Sequence, residues 1–168
     1  MKISEIVKSN RIWFIVKYFA IFIAITVPAI LLLTQGQLRS ISAYWNTPMQ
    51  PLFILSNALT SYHLYTTKKW IIPAIFLSLL TAFSVEYHQL THDILAFSFF
   101  VSCLYPLFTT KRYKWCGWAF LISLPIFFRS IFYAEWYAIV VMCTYHSLIL
   151  YDLFKIQIKY EDISKSNR

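Results

Sequence analysis

IWFIVKYFAIFIAITVPAILLL, residues 12–33, is apolar throughout apart from Lys17 and Thr26, and contains no glycine. At 1.5 Å of rise per residue a helix of this length covers about 33 Å, enough for a hydrocarbon core of about 30 Å. A cleaved leader has a shorter apolar core and ends at a small-x-small site, and none follows here, so the run is read as a retained first transmembrane helix. Five more apolar runs follow between polar breaks, at 51–66, 70–87, 93–108, 115–132 and 136–153. Backbone amides in lipid must be satisfied within their own segment, so each run is expected as a helix.

The reading is therefore all-α: an integral membrane bundle of six transmembrane helices over residues 1–154, followed by a polar cytoplasmic tail at 155–168. Composition agrees. The chain is 59% hydrophobic and 13% charged, and a soluble fold of 168 residues exposes too much of its surface to hide that apolar content.

The basic residues set the orientation. With the N-terminus in the cytoplasm, Lys2, Lys8, Arg11, Lys17, Lys68, Lys69, Lys111, Arg112, Lys114, Lys155, Lys159, Lys165 and Arg168 all fall on that side, and only Arg39 and Arg129 fall outside. An asymmetry this large predicts N- and C-termini both cytoplasmic and an even number of crossings. The net charge of +8 sits in short clusters between apolar runs rather than on a soluble basic domain. It therefore points to anionic lipid and excludes nucleic acid as a partner. Membrane lipids are the expected partners, with other membrane proteins as a second class. The membrane is a bacterial inner membrane or, in a eukaryote, an endomembrane or the plasma membrane.

Cys103, Cys116 and Cys143 lie in or beside apolar runs without CxxC spacing and are read as packing residues. There are two glycines, Gly36 and Gly117, too few for the unwound helices of a transporter core. Pro28, Pro73, Pro106 and Pro125 are read as kinks or helix-end features.

Three outer segments carry the candidate chemistry. Glu86, His88, His92 and Asp93 crowd the turn between the third and fourth helices. His88 and His92 at i, i+4 would share a helix face. With Asp93 they could hold zinc, or act as a base with an orienting acid for acyl-transfer or ester chemistry. The bland alternative is a polar hairpin in which Asp93 caps the fourth helix. Glu135 and Trp136 open the sixth helix, where the dipole and the interface belt account for them, and Arg129 is placed to pair with Glu135. The loop from Leu38 to Pro51 contributes Asn46 and Gln50; it reads either as a lid at the lipid surface or, as the bland alternative, as an interfacial loop anchored by Tyr44 and Trp45. No metal site is assigned and no cofactor is expected, beyond the zinc alternative at His88, His92 and Asp93. His63 and His146 lie at similar depth in the second and sixth helices. They read as hydrogen-bonded packing residues, with a bis-histidine haem as the sharper alternative.

Ile41-Ser42 followed by Pro48 and Gln50, then His92-Asp93-Ile-Leu-Ala96-Phe97, then Glu135-Trp136, occur in the order of the motifs of the DRAM/FRAG/SFK-type six-helix membrane proteins, which the chain resembles from about Ile41 to Leu153. That group includes autophagy modulators and a factor remodelling the lipid of GPI anchors. From Ile41-Ser42 through Pro48 and Gln50 the chain follows the family loop, P-x-I-S-D-x-G-x-x-P-P-E, without a gap, but the loop's Asp, Gly, last Pro and Glu become Ala43, Trp45, Met49 and Gln50. The resemblance implies lipid biology at the non-cytoplasmic face. Ser84-x3-His88 with a following acid is also similar to the metal site of the ceramidase and adiponectin-receptor superfamily, although seven helices and a late HxxxH are usual there and only His146 is present here. The expected function is a lipid-handling membrane factor that binds a lipid head group or glycolipid through His88, His92, Asp93, Glu135, Arg129, Trp136, Asn46, Gln50 and Glu86. A non-catalytic scaffold and a metal-dependent intramembrane hydrolase are the alternatives.

Overall fold

The computed structural model describes residues 3–84 and 86–166, with side chains described for 12–84 and 86–159. The outermost members of the charge pattern, Lys2, Glu5, Lys8, Arg11, Glu161, Asp162, Lys165 and Arg168, lie outside the residues whose side chains are described.

The described residues form seven helices and no strand: α1 (Ile3–Gln35), α2 (Gln50–Tyr65), α3 (Ile71–Ala82), α4 (Gln89–Thr109), α5 (Lys114–Leu121), α6 (Ser123–Phe127) and α7 (Ile131–Ser166). Short 3₁₀ segments at Ile41–Asn46, Lys68–Trp70 and Lys111–Tyr113 join them. Three stretches are long and apolar enough to cross a membrane: Ile12–Gln35, Gln89–Thr109 and Ile131–Lys159. In each, about a third or less of the most apolar window is buried inside the fold, which leaves large side chains such as Phe19, Phe22, Phe97 and Tyr105 facing outward. Lipid is the solvent in which such a surface is stable. The other helices are shorter. At 1.5 Å per residue α2 rises about 24 Å and α3 about 18 Å.

Several expected boundaries shift. The third apolar run ends as helix at Ala82, because the chain turns at Ser84, whose hydroxyl accepts from the Tyr87 amide at 3.3 Å. The fourth helix starts at Gln89, four residues before the expected start, with His88 at the cap position. The fifth run is broken at Ile122, where the amide bonds the Ala119 carbonyl at 3.0 Å in a tighter turn. Pro125 follows, and its missing N–H removes the bond to Leu121. The last helix does not fray after Leu153 but continues to Ser166. Polar character ends the apolar run there, yet Lys, Gln, Glu and Ile all sustain a helix.

Each helix packs on the next, and α7 packs back on α1, so the segments close a ring. Phe14 meets Phe154 (centroids 5.9 Å apart) and Cys143 Sγ lies 3.9 Å from the Ile21 carbonyl, so α1 and α7 run antiparallel. Cys103 and Cys116 are completely buried in the main cluster with Leu107, Phe99, Phe120 and Tyr145, and all three cysteines are free. Hydroxyls tie the helices together in the apolar interior. Ser61 donates to the Ala74 carbonyl at 2.7 Å, and Tyr145 shares a 2.7 Å bond with Thr110. Asp152 accepts from the Tyr113 hydroxyl at 2.5 Å and pairs with Arg112 at 3.0 Å.

Candidate functional site: an interior cavity between a carboxylate and a histidine pair

A partly open cavity of about 110 Å³ runs through the ring. Its walls come from Ala20 to Pro28 of α1, Ile41 and Ser42 of the first loop, Phe53 to Leu64 of α2, and Glu135 to His146 of α7, with Leu77, Leu80, Ala96, Phe99 and Phe100 closing the side. From Glu135 to His146 the α7 backbone rises about 16 Å, roughly half the thickness of a hydrocarbon core. The wall is mostly apolar, with Ser56, Asn57 and Thr60 of α2 as a polar stripe between the two ends. Pro28 of α1 also lines the cavity, and its missing amide leaves the Ala24 carbonyl without its helical partner.

At one end Glu135 reaches into the first loop. Its Oε2 accepts from the Ile41 amide at 2.5 Å and its Oε1 from the Ser42 hydroxyl at 3.3 Å. Ser40 caps the 3₁₀ turn by accepting from the Ala43 amide at 3.2 Å. Tyr44 is fully buried and donates to the Gly36 carbonyl at 2.7 Å. The loop is thus folded down onto the bundle. Tyr44 is a core residue, not the interfacial anchor expected from sequence, because its ring completes an apolar cluster with Leu31, Phe53 and Phe132. Arg129 is exposed and makes no ion pair with Glu135, whose carboxylate is taken by the loop. Trp136 is half-buried and packs on Phe132. Asn46 is exposed, and Gln50 begins α2.

At the other end the two isolated histidines meet. His63 Nε2 and His146 Nδ1 lie 3.1 Å apart, a hydrogen bond. That spacing leaves no room for iron between facing nitrogens, so the bis-histidine haem alternative is withdrawn. The remaining ring nitrogens, His63 Nδ1 and His146 Nε2, are buried and have no partner. An unmet buried polar group costs about 1–3 kcal/mol. Trp70 packs against His146 with centroids 4.5 Å apart and the ring planes tilted by 53°.

Sequence reasoning placed Lys17 among the cytoplasmic charges. It is 3% exposed. Its ammonium donates to the His63 carbonyl at 2.9 Å, to Thr67 Oγ1 at 3.0 Å and to Thr66 Oγ1, and stands 5.0 Å from the Trp13 ring. Three neutral acceptors match its three donors. The signal for this was its position inside an apolar run, where a charge needs internal partners.

The cluster between α3 and α4 stands apart from the cavity. Glu86, His88 and Asp93 are exposed. His92 is 5% exposed, with Asp93 Oδ1 at 3.5 Å from its Nδ1, a distance without hydrogen-bond alignment. His88 holds the cap position before α4, with its carbonyl accepting from the His92 amide at 2.8 Å, yet its side chain is exposed while that of His92 is buried. Asp93 sits beyond the first turn and caps nothing, and the cap position is held by His88 without a side-chain bond. No hydrogen bond joins His92 to Glu135, and His92 does not line the cavity. Among the described residues no three His, Cys, Asp or Glu side chains converge to hold a metal. Neither a known family model, nor a curated protein, nor a solved structure matches this chain.

Proposed function

We propose that the chain is a lipid-handling membrane protein that crosses the bilayer six times with both terminal segments in the cytoplasm, and that the cavity holds part of a membrane lipid. The observation that carries this reading is the cavity itself. It has apolar walls for a hydrocarbon and a hydrogen-bonding end built by Glu135, Ser42 and the Ile41 amide. An amphiphile satisfies both parts, with its polar group at Glu135 and its apolar part along α2 and α7. The antiparallel closure of α7 on α1 supports an even number of crossings, because both chain ends then lie on one side.

The test is native mass spectrometry of the protein released from membrane vesicles. Wild type is expected to retain a bound lipid, and Ala24→Leu, which fills the cavity wall away from Glu135, to lose it while keeping its helical circular dichroism. The reading is overturned if wild type carries no lipid, or if a folded Ala24→Leu variant carries the same lipid to the same extent.

A further inference from the structure

A second void of about 220 Å³ lies between α1 and α2, lined by Ile12, Trp13, Val16, Lys17, Tyr62 and Thr66 together with Ala20 and His63. His63 is therefore a wall of both voids, whereas His146 lines the central cavity and not this groove. The hydrogen bond between the two imidazoles joins them. Each ring keeps one buried nitrogen without a partner, and these are the outer ends of the pair.

We propose that His63 and His146 form a proton relay that connects the α1–α2 groove to the central cavity, with water or a protic group of a cavity ligand as the species served at each end. A neutral imidazole carries one N–H and one bare nitrogen. If His63 Nε2–H donates to His146 Nδ1, then His63 Nδ1 is bare and His146 Nε2 carries a proton. If the shared bond runs the other way, both outer nitrogens swap roles. In either state one outer end is a donor and the other an acceptor. A proton taken up at His63 Nδ1 from the groove allows the Nε2 proton to cross the 3.1 Å bond to His146 Nδ1. His146 then releases its Nε2 proton to the cavity. One proton enters, one leaves, and the pair ends in the opposite tautomer. Passage in the reverse direction, or rotation of the two rings, resets it.

The surroundings hold this pair in place. Trp70 and Tyr145 pack against His146 with centroids at 4.5 and 5.2 Å, and Lys17 grips the His63 carbonyl at 2.9 Å. The titratable groups that face the pair are Lys17 from α1, and Cys143 and Tyr145 from α7. Tyr145 is engaged with Thr110 and Cys143 is directed at the Ile21 carbonyl. Lys17 has all three protons committed, and its charge beside the rings disfavours a second positive charge there. Neutral tautomer exchange is thus the route open to the pair, rather than a standing imidazolium. A purely structural histidine pair would set one outer nitrogen against a protein acceptor and the other against a protein donor, and here neither has a partner. The inference does not depend on the lipid reading, because the relay works equally with water in the cavity.

The experiment is nitrogen NMR on the full chain in lipid nanodiscs with ¹⁵N-histidine. The sequence has only four histidines, and His88→Asn and His92→Asn spectra assign the other two. The expected result is that both rings of the pair report mixed tautomers, with ring protons that exchange with water. His146→Phe is expected to collapse His63 onto a single tautomer. One fixed tautomer for each ring in the wild type, with ring protons that do not exchange with water, overturns the relay whether or not any variant folds. A lipid found in the cavity with such fixed rings would refute the relay and leave the lipid reading standing.

Discussion

Glu135 shows how one side chain can be read correctly as important and wrongly as to why. Its position beside Trp136 explained it as a dipole-favoured acid at a helix start. The structure sets it inside α7, which begins at Ile131, and gives its carboxylate to Ile41 and Ser42, more than ninety positions earlier in the chain. Spacing along a sequence cannot report that contact. Removing the carboxylate leaves the Ile41 amide without an acceptor, so Glu135→Ala should lose about 1–3 kcal/mol of stability. Glu135→Gln keeps a carbonyl oxygen there and should lose less. Thermal unfolding in a mild detergent reads the difference, and two variants as stable as wild type would contradict the assigned contact. His63 and His146 were legible as a pair at equal depth, but whether they touched depended on how α2 and α7 rotate. That is a packing outcome absent from hydropathy.

At the scale of elements, each of the six apolar runs falls on helix, the fifth split into α5 and α6, because a long hydrophobic segment is most stable with its backbone bonded internally. The ends were less legible, because an apolar run marks where lipid stops and not where hydrogen bonding stops. Gln89, Thr91 and His92 are polar yet helical, and the mostly polar stretch from Lys155 to Ser166 is helical too. The seam of α4 against α5 offers a direct check of packing. A Cβ added at Gly117 would sit 3.0 Å from three ring carbons of Phe108, and that ring is held edge-on to Trp118 at 5.2 Å. Overpacking of this kind costs about 1–3 kcal/mol. Gly117→Ala should therefore destabilise and Gly117→Val more so. Adding Phe108→Leu should recover part of the loss, as a positive coupling in a double-mutant cycle. Additive effects would show that the two positions do not meet.

At the scale of the whole molecule the account is a ring of helices around a cavity, with a carboxylate-tied loop at one end and an imidazole pair at the other. The outer wall is apolar enough to need lipid, and the inner wall mixes hydrocarbon with hydroxyl, amide and imidazole groups. The histidine and acid cluster between α3 and α4, prominent in sequence, lies off this cavity, since an exposed turn gathers polar residues whether or not they act. The most direct measurement is photo-crosslinking with a phospholipid that carries a diazirine in its acyl chain, followed by peptide mapping of the labelled sites. The account predicts labels on the inward residues of α1 and α2, such as Ala24 and Asn57, and on Ile139 of α7, in addition to the outer surface. Labels confined to outward residues such as Phe19, Phe22 and Phe97 would contradict it.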